Sequence, residues 1–302
     1  MTNLKTFFRL LVPILFLLMI FSCSEDKDKW IPIYKGEDTL AFRHYLGIPD
    51  SSVRVPGLKK DSLGNYVEGL GYNDPLAVFT IDTLDEENVI RISGEVIGGL
   101  ILKDSMANYH LKLKFKWGDL KWKWMEGRPK DGGILYHQGK VRHELQIHEG
   151  DVGSYWAKNV ILDIPATPTT AIPTAIKKAK PYLEHLVSTL KDTMLLFDQN
   201  AGLHHFEGKN EWQIVIASPY NEKPHGAWNT LELICWENHA VHMINGKVNL
   251  ILLNSFYKKG TTPEPLVSGR LTLQSEGAVI YFKDIFYRKL EKTPKVLSKY
   301  LE

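Results

Sequence analysis

Between Asp131 and Asp151 the chain sets Asp131, His137, Glu144, Gln146, His148, Glu149 and Asp151 among apolar residues that keep the alternation of strands. Carboxylates and imidazoles move protons near neutral pH, and amides bind hydroxyls, so this mixture suits a polar site built on a sheet. As a strand, residues 144–148 send Leu145 and Ile147 to one face and Glu144, Gln146 and His148 to the other. Alternate residues on one face lie roughly 6.5 to 7 Å apart, which lets Glu144 and Gln146 engage neighbouring oxygens of one ligand the size of a sugar ring. A strand with one solvated face would show the same alternation without any ligand. Upstream, Gly132-Gly133 permits close approach of backbone to a ligand just before Tyr136 and His137. Of the remaining histidines, the pairs His143/His148, His204/His205 and His239/His242 lack metal-ligand spacing and are expected mostly at the surface.

The elements that must hold these side chains are short alternating runs broken by Gly, Asn, Asp and Pro, the texture of an antiparallel sandwich. Residues 89–92, 96–97 and 100–102 are apolar runs around glycines. From Tyr109 to Trp117, Leu111, Leu113, Phe115 and Trp117 alternate with His110, Lys112, Lys114 and Lys116, which predicts a strand with one wet face. Residues 228–236 and 240–244 form an expected hairpin, with a further tight turn at Asn245-Gly246. Residues 269–274 and 278–287 form the closing pair around Ser275-Glu276-Gly277. Residues 164–181, rich in Pro and Thr, predict a loop, and the spacing of Leu183, Leu186, Val187, Leu190 and Met194 predicts a short amphipathic helix after it. The fold class is therefore all-β, an antiparallel sandwich with a short helical insertion. Trp122 and Trp124 could stack on a sugar or pack in the core; Trp156 is favoured for ligand and Trp228 for structure.

The N-terminus points to a compartment. Lys5 and Arg9 precede an apolar run from Leu10 to Phe21, too short to span a bilayer as a helix, so residues 1–22 predict a signal peptide. Ile20-Phe21-Ser22-Cys23 resembles a bacterial lipobox, which would place a lipid on Cys23. The acid-rich residues 23–30 form a polar tether, resembling those of some Gram-negative lipoproteins at the outer membrane. Residues 31–292 then make one domain and 293–302 a tail. With Cys23 lipidated, Cys235 has no intramolecular partner. The chain carries 37 basic and 35 acidic residues, and loss of Lys5 and Arg9 balances them, so no electrostatic footprint for nucleic acid exists.

Six blocks carry a family resemblance: residues 109–117, Gly133-Ile134-Leu135-Tyr136-His137, residues 144–153, residues 223–232, residues 241–247 and residues 273–285. In this order they resemble the 3-keto-disaccharide hydrolase domain. The resemblance implies a concanavalin A-like jelly roll that binds carbohydrate in a groove, and a pathway partner, a sugar oxidoreductase, that first makes the 3-keto glycoside. A carbonyl at C3 acidifies the hydrogen on C2; a base removes it, the C1 substituent leaves by elimination, and water adds. This chemistry needs a base, an oxyanion-stabilising group and an acid. Glu144 is the first candidate for the base, with His137 and Glu149 as further catalytic candidates, while Gln146, Gln274, Glu276, Tyr136 and Trp156 are expected to bind the sugar. Glu144 and His137, with another carboxylate, could instead hold a divalent ion that polarises the substrate oxygens. Two other classes share these residues: a conventional hydrolase using two carboxylates and a glycan-binding surface protein without turnover.

Overall fold

The computed structural model describes residues 29–139, 141–169, 194–210 and 213–301. The expected signal peptide, Cys23 and the helix expected from Leu183 onward lie outside them. Twenty strands among the described residues, numbered along the chain, form two sheets. The smaller runs in the order β2 (Phe42–Leu46), β5 (Gly98–Leu102), β19 (Ser268–Ser275), β8 (Gly133–Gln138) and β9 (His143–Gln146), with β6 (Met106–Ala107) also on β19. The larger begins β10 (Tyr155–Ala157), β14 (Gln213–Ile216), β12 (Met194–Phe197), β11 (Val160–Thr169), β17 (Lys247–Lys259), β16 (His239–Ile244) and β15 (Asn229–Trp236). It continues through β7 (Tyr109–Lys121), β20 (Ala278–Lys289), β4 (Glu87–Ile92) and β3 (Phe79–Leu84). Three short strands attach to it: β1 (Ile31–Tyr34) on β20, β13 (Leu203–Glu207) on β11 and β18 (Thr262–Pro265) on β17. All pairings are antiparallel except the short β12–β14 contact.

The core lies between the sheets. Leu111, Leu113, Phe115 and Trp117 of β7 are buried in one cluster with Ile134, Leu145, Leu271 and Leu273 of the smaller sheet. Their alternation with Lys112, Lys114 and Lys116 is the period-two pattern that makes β7 a half-buried strand. His110 departs from its expected wet face, being buried and bonded to Glu232 at 2.8 Å across the β7–β15 pair.

Two readings change. Residues 164–169, expected as loop, belong to β11 despite Pro165 and Pro168. Beyond Asp163, β11 has a strand partner on one side only among the described residues, and such an edge tolerates residues that cannot donate to a ladder. The C-terminal tail is not featureless: Lys295–Leu301 forms α1, whose Leu297 is buried in the core.

Candidate active site

Strand parity builds the site from one hairpin. In the β8–β9 pair, Gly133 faces Gln146 and Leu135 faces Glu144, while Ile134 and Tyr136 with Leu145 and His143 take the opposite, core-facing side. Next to this hairpin, Leu273 of β19 pairs with Ile134, which sets Gln274 beside Gly133. A Cβ on Gly133 would lie 2.7 Å from Gln274 Oε1 and 2.8 Å from Glu144 Oε1. Glycine at this position therefore allows two polar side chains to converge over the sheet, where any larger residue would push them apart. Gln274 Oε1 is buried and accepts no hydrogen bond among the described residues. A buried acceptor without a donor is costly, and a ligand hydroxyl at this point would satisfy it.

Around this pair stands a charged network. Asp131 accepts from Gln146 Nε2 at 2.5 Å and from the Gly132 amide at 2.8 Å, and its second oxygen meets His148 Nε2 at 2.9 Å. The backbones of Asp131 and Glu276 pair in an isolated antiparallel β-bridge, and the Glu276 carboxylate accepts from Gln274 Nε2. The turn holding Glu276 is fixed by Gly277, at φ +79°, because a Cβ there would overlap Met125 and touch Trp124. The Ile147 amide donates to the Gly132 carbonyl at 2.8 Å, which continues the β9 alternation and keeps His148 on the same face as Glu144 and Gln146.

The electrostatics follow from burial. Loss of water pushes the Glu144 carboxyl up to about 7, Asp131 pushes it the same way, and Arg142 and His148 resist. Glu276 is pushed up as well, by burial first and then by Asp131 and Glu144. Burial disfavours charge on His148, but Asp131, Asp151 and Glu276 outweigh it and raise the imidazole, so it carries a proton more readily than usual. The site thus holds two carboxyls that keep protons near neutral pH beside an imidazolium–carboxylate pair. A base that titrates near 7 is well matched to proton abstraction at physiological pH.

The structure brings together Glu144, Gln146, Gln274 and Glu276 from the expected set, and places Trp156 edge-on to His148 with ring centroids 6.2 Å apart. It separates the others. His137, expected on the groove side, has φ +49° at a bulge in the β8–β19 ladder and turns into the core, within 6.3 Å of the Tyr109 ring and 5.4 Å of Tyr136. It is 2 % exposed, and burial lowers its imidazole to about 4. A divalent ion shared by Glu144 and His137 is excluded by this geometry, since the two lie on opposite faces of one hairpin. Among the described residues no other group of three or more His, Cys, Asp or Glu is arranged to hold an ion. Tyr136 also faces the core, its hydroxyl 2.8 Å from His242 Nε2, and not a sugar. Glu149 belongs to a rim cluster, accepting from His225 Nδ1 at 2.6 Å with Lys130 Nζ 3.9 Å away. The second carboxylate beside Glu144 is Glu276 instead.

Three members of the cluster were given no role from sequence: Asp131, His148 and Arg142. His148 was legible in the β9 alternation that placed it beside Glu144, whereas Asp131 needed the sheet register to bring it there. His143, His148, His239 and His242, expected mostly at the surface, are all buried. Trp228 holds a structural position, its indole donating to Asp85 at 2.8 Å under Lys283. Trp122 donates to the Ser93 carbonyl at 2.8 Å, and Trp124, partly buried, packs on the core.

No curated protein matches the chain. Among solved structures, two from Parabacteroides distasonis, whose names class them provisionally as glycosyl hydrolases, are each 15 % identical to it. One aligns with 87 % of this chain and 94 % of its own at a TM-score of 0.42, the other with 72 % and 93 % at 0.40. The carbohydrate-binding module CBM66 of Bacillus subtilis is 9 % identical over 70 % of this chain and 92 % of its own, with a TM-score of 0.37. The model of the 3-keto-alpha-glucoside-1,2-lyase-like domain matches residues 62–288, the span that contains every residue of the cluster, and the chain belongs to that family.

Proposed function

We propose that the protein cleaves the glycosidic bond of 3-keto-glycosides by elimination and hydration, with Glu144 as the base. The observation that carries this reading is the convergence over Gly133 of a carboxyl titrating near 7 and a buried amide oxygen that lacks a donor. In the ionised form Glu144 takes the proton from C2 of the oxidised ring, and the electron pair moves into an enolate on the C3 oxygen. The positive charges of His148 and Arg142, which act on both carboxyls, favour that oxyanion in the same way. The C1–O bond then breaks as the enolate collapses, and Glu276, held protonated, delivers a proton to the departing oxygen. Water adds to C1 of the resulting enone and restores the 3-keto sugar. Gln146 and Gln274 bind hydroxyls of the ring.

A conventional two-carboxylate hydrolysis is the second reading, favoured by the presence of Glu144 and Glu276 in one cluster. It too needs one ionised carboxylate, as nucleophile or base toward water, so the raised carboxyls serve either reading, and the two differ in whether the C2 hydrogen is removed. The two mechanisms separate in deuterium oxide. Elimination exchanges the C2 hydrogen for deuterium in the product and slows with C2-deuterated substrate; direct hydrolysis does neither. Absence of aglycone release from a 3-keto-glycoside, with or without added divalent ions, removes the enzymatic proposal. We further propose lipid anchoring through Cys23 at the outer membrane and supply of substrate by a sugar oxidoreductase. A Cys23→Ala variant found in the membrane fraction as fully as the natural chain would refute the anchor.

A further inference from the structure

The smaller sheet carries an exposed aromatic pair that the reaction above does not use. Tyr45 of β2 faces Gly99 of β5, and Gly99 faces Gln274 of β19, so one row crosses the sheet from Tyr45 to the catalytic cluster. Parity agrees: Phe42 and Leu46 are buried toward the core, while Tyr45 points the other way and is 46 % exposed. Tyr72, 61 % exposed, meets Tyr45 edge-to-face with centroids 5.4 Å apart and interplanar angle 75°. The position of Tyr72 is built, not incidental. Leu46 and Gly71 exchange backbone hydrogen bonds of 2.8 and 2.9 Å, the Tyr72 carbonyl lies 2.5 Å from His44 Nε2, and the Arg43 guanidinium sits 5.6 Å from the Tyr72 ring centre. Between Tyr45 and Gln274 the strand position is Gly99, over which the Thr272 methyl lies where a Cβ would otherwise stand, so this stretch of the row is apolar and low.

We infer that Tyr45 and Tyr72 form a stacking subsite for the sugar unit adjoining the one held at Glu144 and Gln274. The inference rests on the carbohydrate reading of the cluster and extends it to a disaccharide or longer substrate. Two strand spacings separate β2 from β19, about 10 Å, roughly the length of a disaccharide, so the two points can engage the two ends of one such substrate. Tyrosine suits this task because its ring face packs on the C–H face of a pyranose while its hydroxyl stays wet. Two large rings held by a bonded loop yet left in solvent contribute little to the core, and continuity with the polar row points to a glycan as their occupant.

The test compares two substrates. Tyr45→Ala and Tyr72→Ala are expected to raise KM for a 3-keto-disaccharide about tenfold, leave methyl 3-keto-glucoside within twofold, and recover with Tyr→Phe at either position, since stacking needs only the ring. Equal losses on both substrates, or none on the disaccharide, overturn the subsite. Should neither substrate turn over, so that the proposed reaction itself fails, calorimetry with the unoxidised disaccharide and monosaccharide still decides. Weaker binding of the disaccharide alone in the alanine variants supports the subsite; unchanged or undetectable disaccharide binding overturns it. Loss of a dimer in the alanine variants, seen as a shift in gel-filtration elution, would assign the pair to a second copy of the chain and also overturn it.

Discussion

The two faces of the β8–β9 hairpin use the same residue types for opposite ends. On the groove face, Glu144, Gln146 and His148 stand beside Asp131 and Glu276, and burial among like charges holds protons on the carboxyls. On the core face, His143 stacks near Tyr136 and bonds Tyr155 at 2.7 Å, while His137 and His242 complete an aromatic cluster in which burial strips the imidazoles of charge. A titratable group meets other charges on one side and is a shaped, neutral packing element on the other. What separates them is the presence of facing charges and of two polar side chains converging over a glycine, not residue identity.

The sharpest break of this comparison is substitution on each face. Glu144→Gln is expected to lower kcat for a 3-keto-glycoside about a thousandfold with sugar affinity retained, as for loss of a general base. His137→Asn, which tolerates the positive φ, should change turnover at pH 7 by less than about threefold. A thousandfold loss in both would erase the distinction. Next comes the point of convergence: Gly133→Ala, in an extended strand, should cost about a hundredfold in kcat/KM by displacing the Glu144 and Gln274 side chains. Its melting temperature should stay within a few degrees of the natural chain, because both contacts are ends of flexible side chains. Retention of full activity would show that the two groups need not converge.

Stability gives the two faces opposite slopes with pH. His137 titrates at about 4 when folded and 6.5 in the ordinary state, so the unfolded chain takes up the extra proton between these values and stability falls as pH falls. Glu144 titrates at about 7 when folded against 4.5 ordinarily; its contribution is full below 4.5 and is lost as pH rises through 7. The His137 shift is worth about 3 kcal/mol and the Glu144 shift about 2 kcal/mol after allowance for partial exposure of the carboxyl. Melting curves should therefore show His137→Asn less sensitive than the natural chain between pH 6.5 and 4, and Glu144→Gln less sensitive between pH 5 and 8. Parallel curves for variants and natural chain would refute the assignment. The smallest effect is kinetic: one unit below pH 7, kcat/KM should fall about tenfold from its plateau as Glu144 takes its proton. A flat profile from pH 5.5 to 8 would remove Glu144 as the base.

How much of this was legible differs residue by residue. The period of two in residues 109–117 and 144–148 assigned faces correctly for Leu113, Phe115, Glu144, Gln146 and His148, because alternation is a local property of an extended chain. His137 was placed in the groove from its position after Gly132-Gly133, and there one left-handed residue at a bulge turns the ring to the core instead. Prolines misled at residues 164–169, since whether a strand edge has a neighbour is set by distant segments. Glu149 and Glu276 were indistinguishable in sequence; only the pairing of β19 with β8 carries Glu276 to Asp131 and leaves Glu149 with His225.

By itself, then, the sequence determined the all-β class and the polar face of the hairpin on which Glu144 and Gln146 stand, consequences of local periodicity and ordered blocks. Tertiary structure alone decided which carboxylate stands second, that His148 is paired with Asp131, that His137 and Tyr136 belong to the core, and that Tyr45 shares a row with Gln274. Those facts depend on register between strands far apart in the chain and on burial, which sets the charge each group carries, and neither is written in the spacing of neighbouring residues.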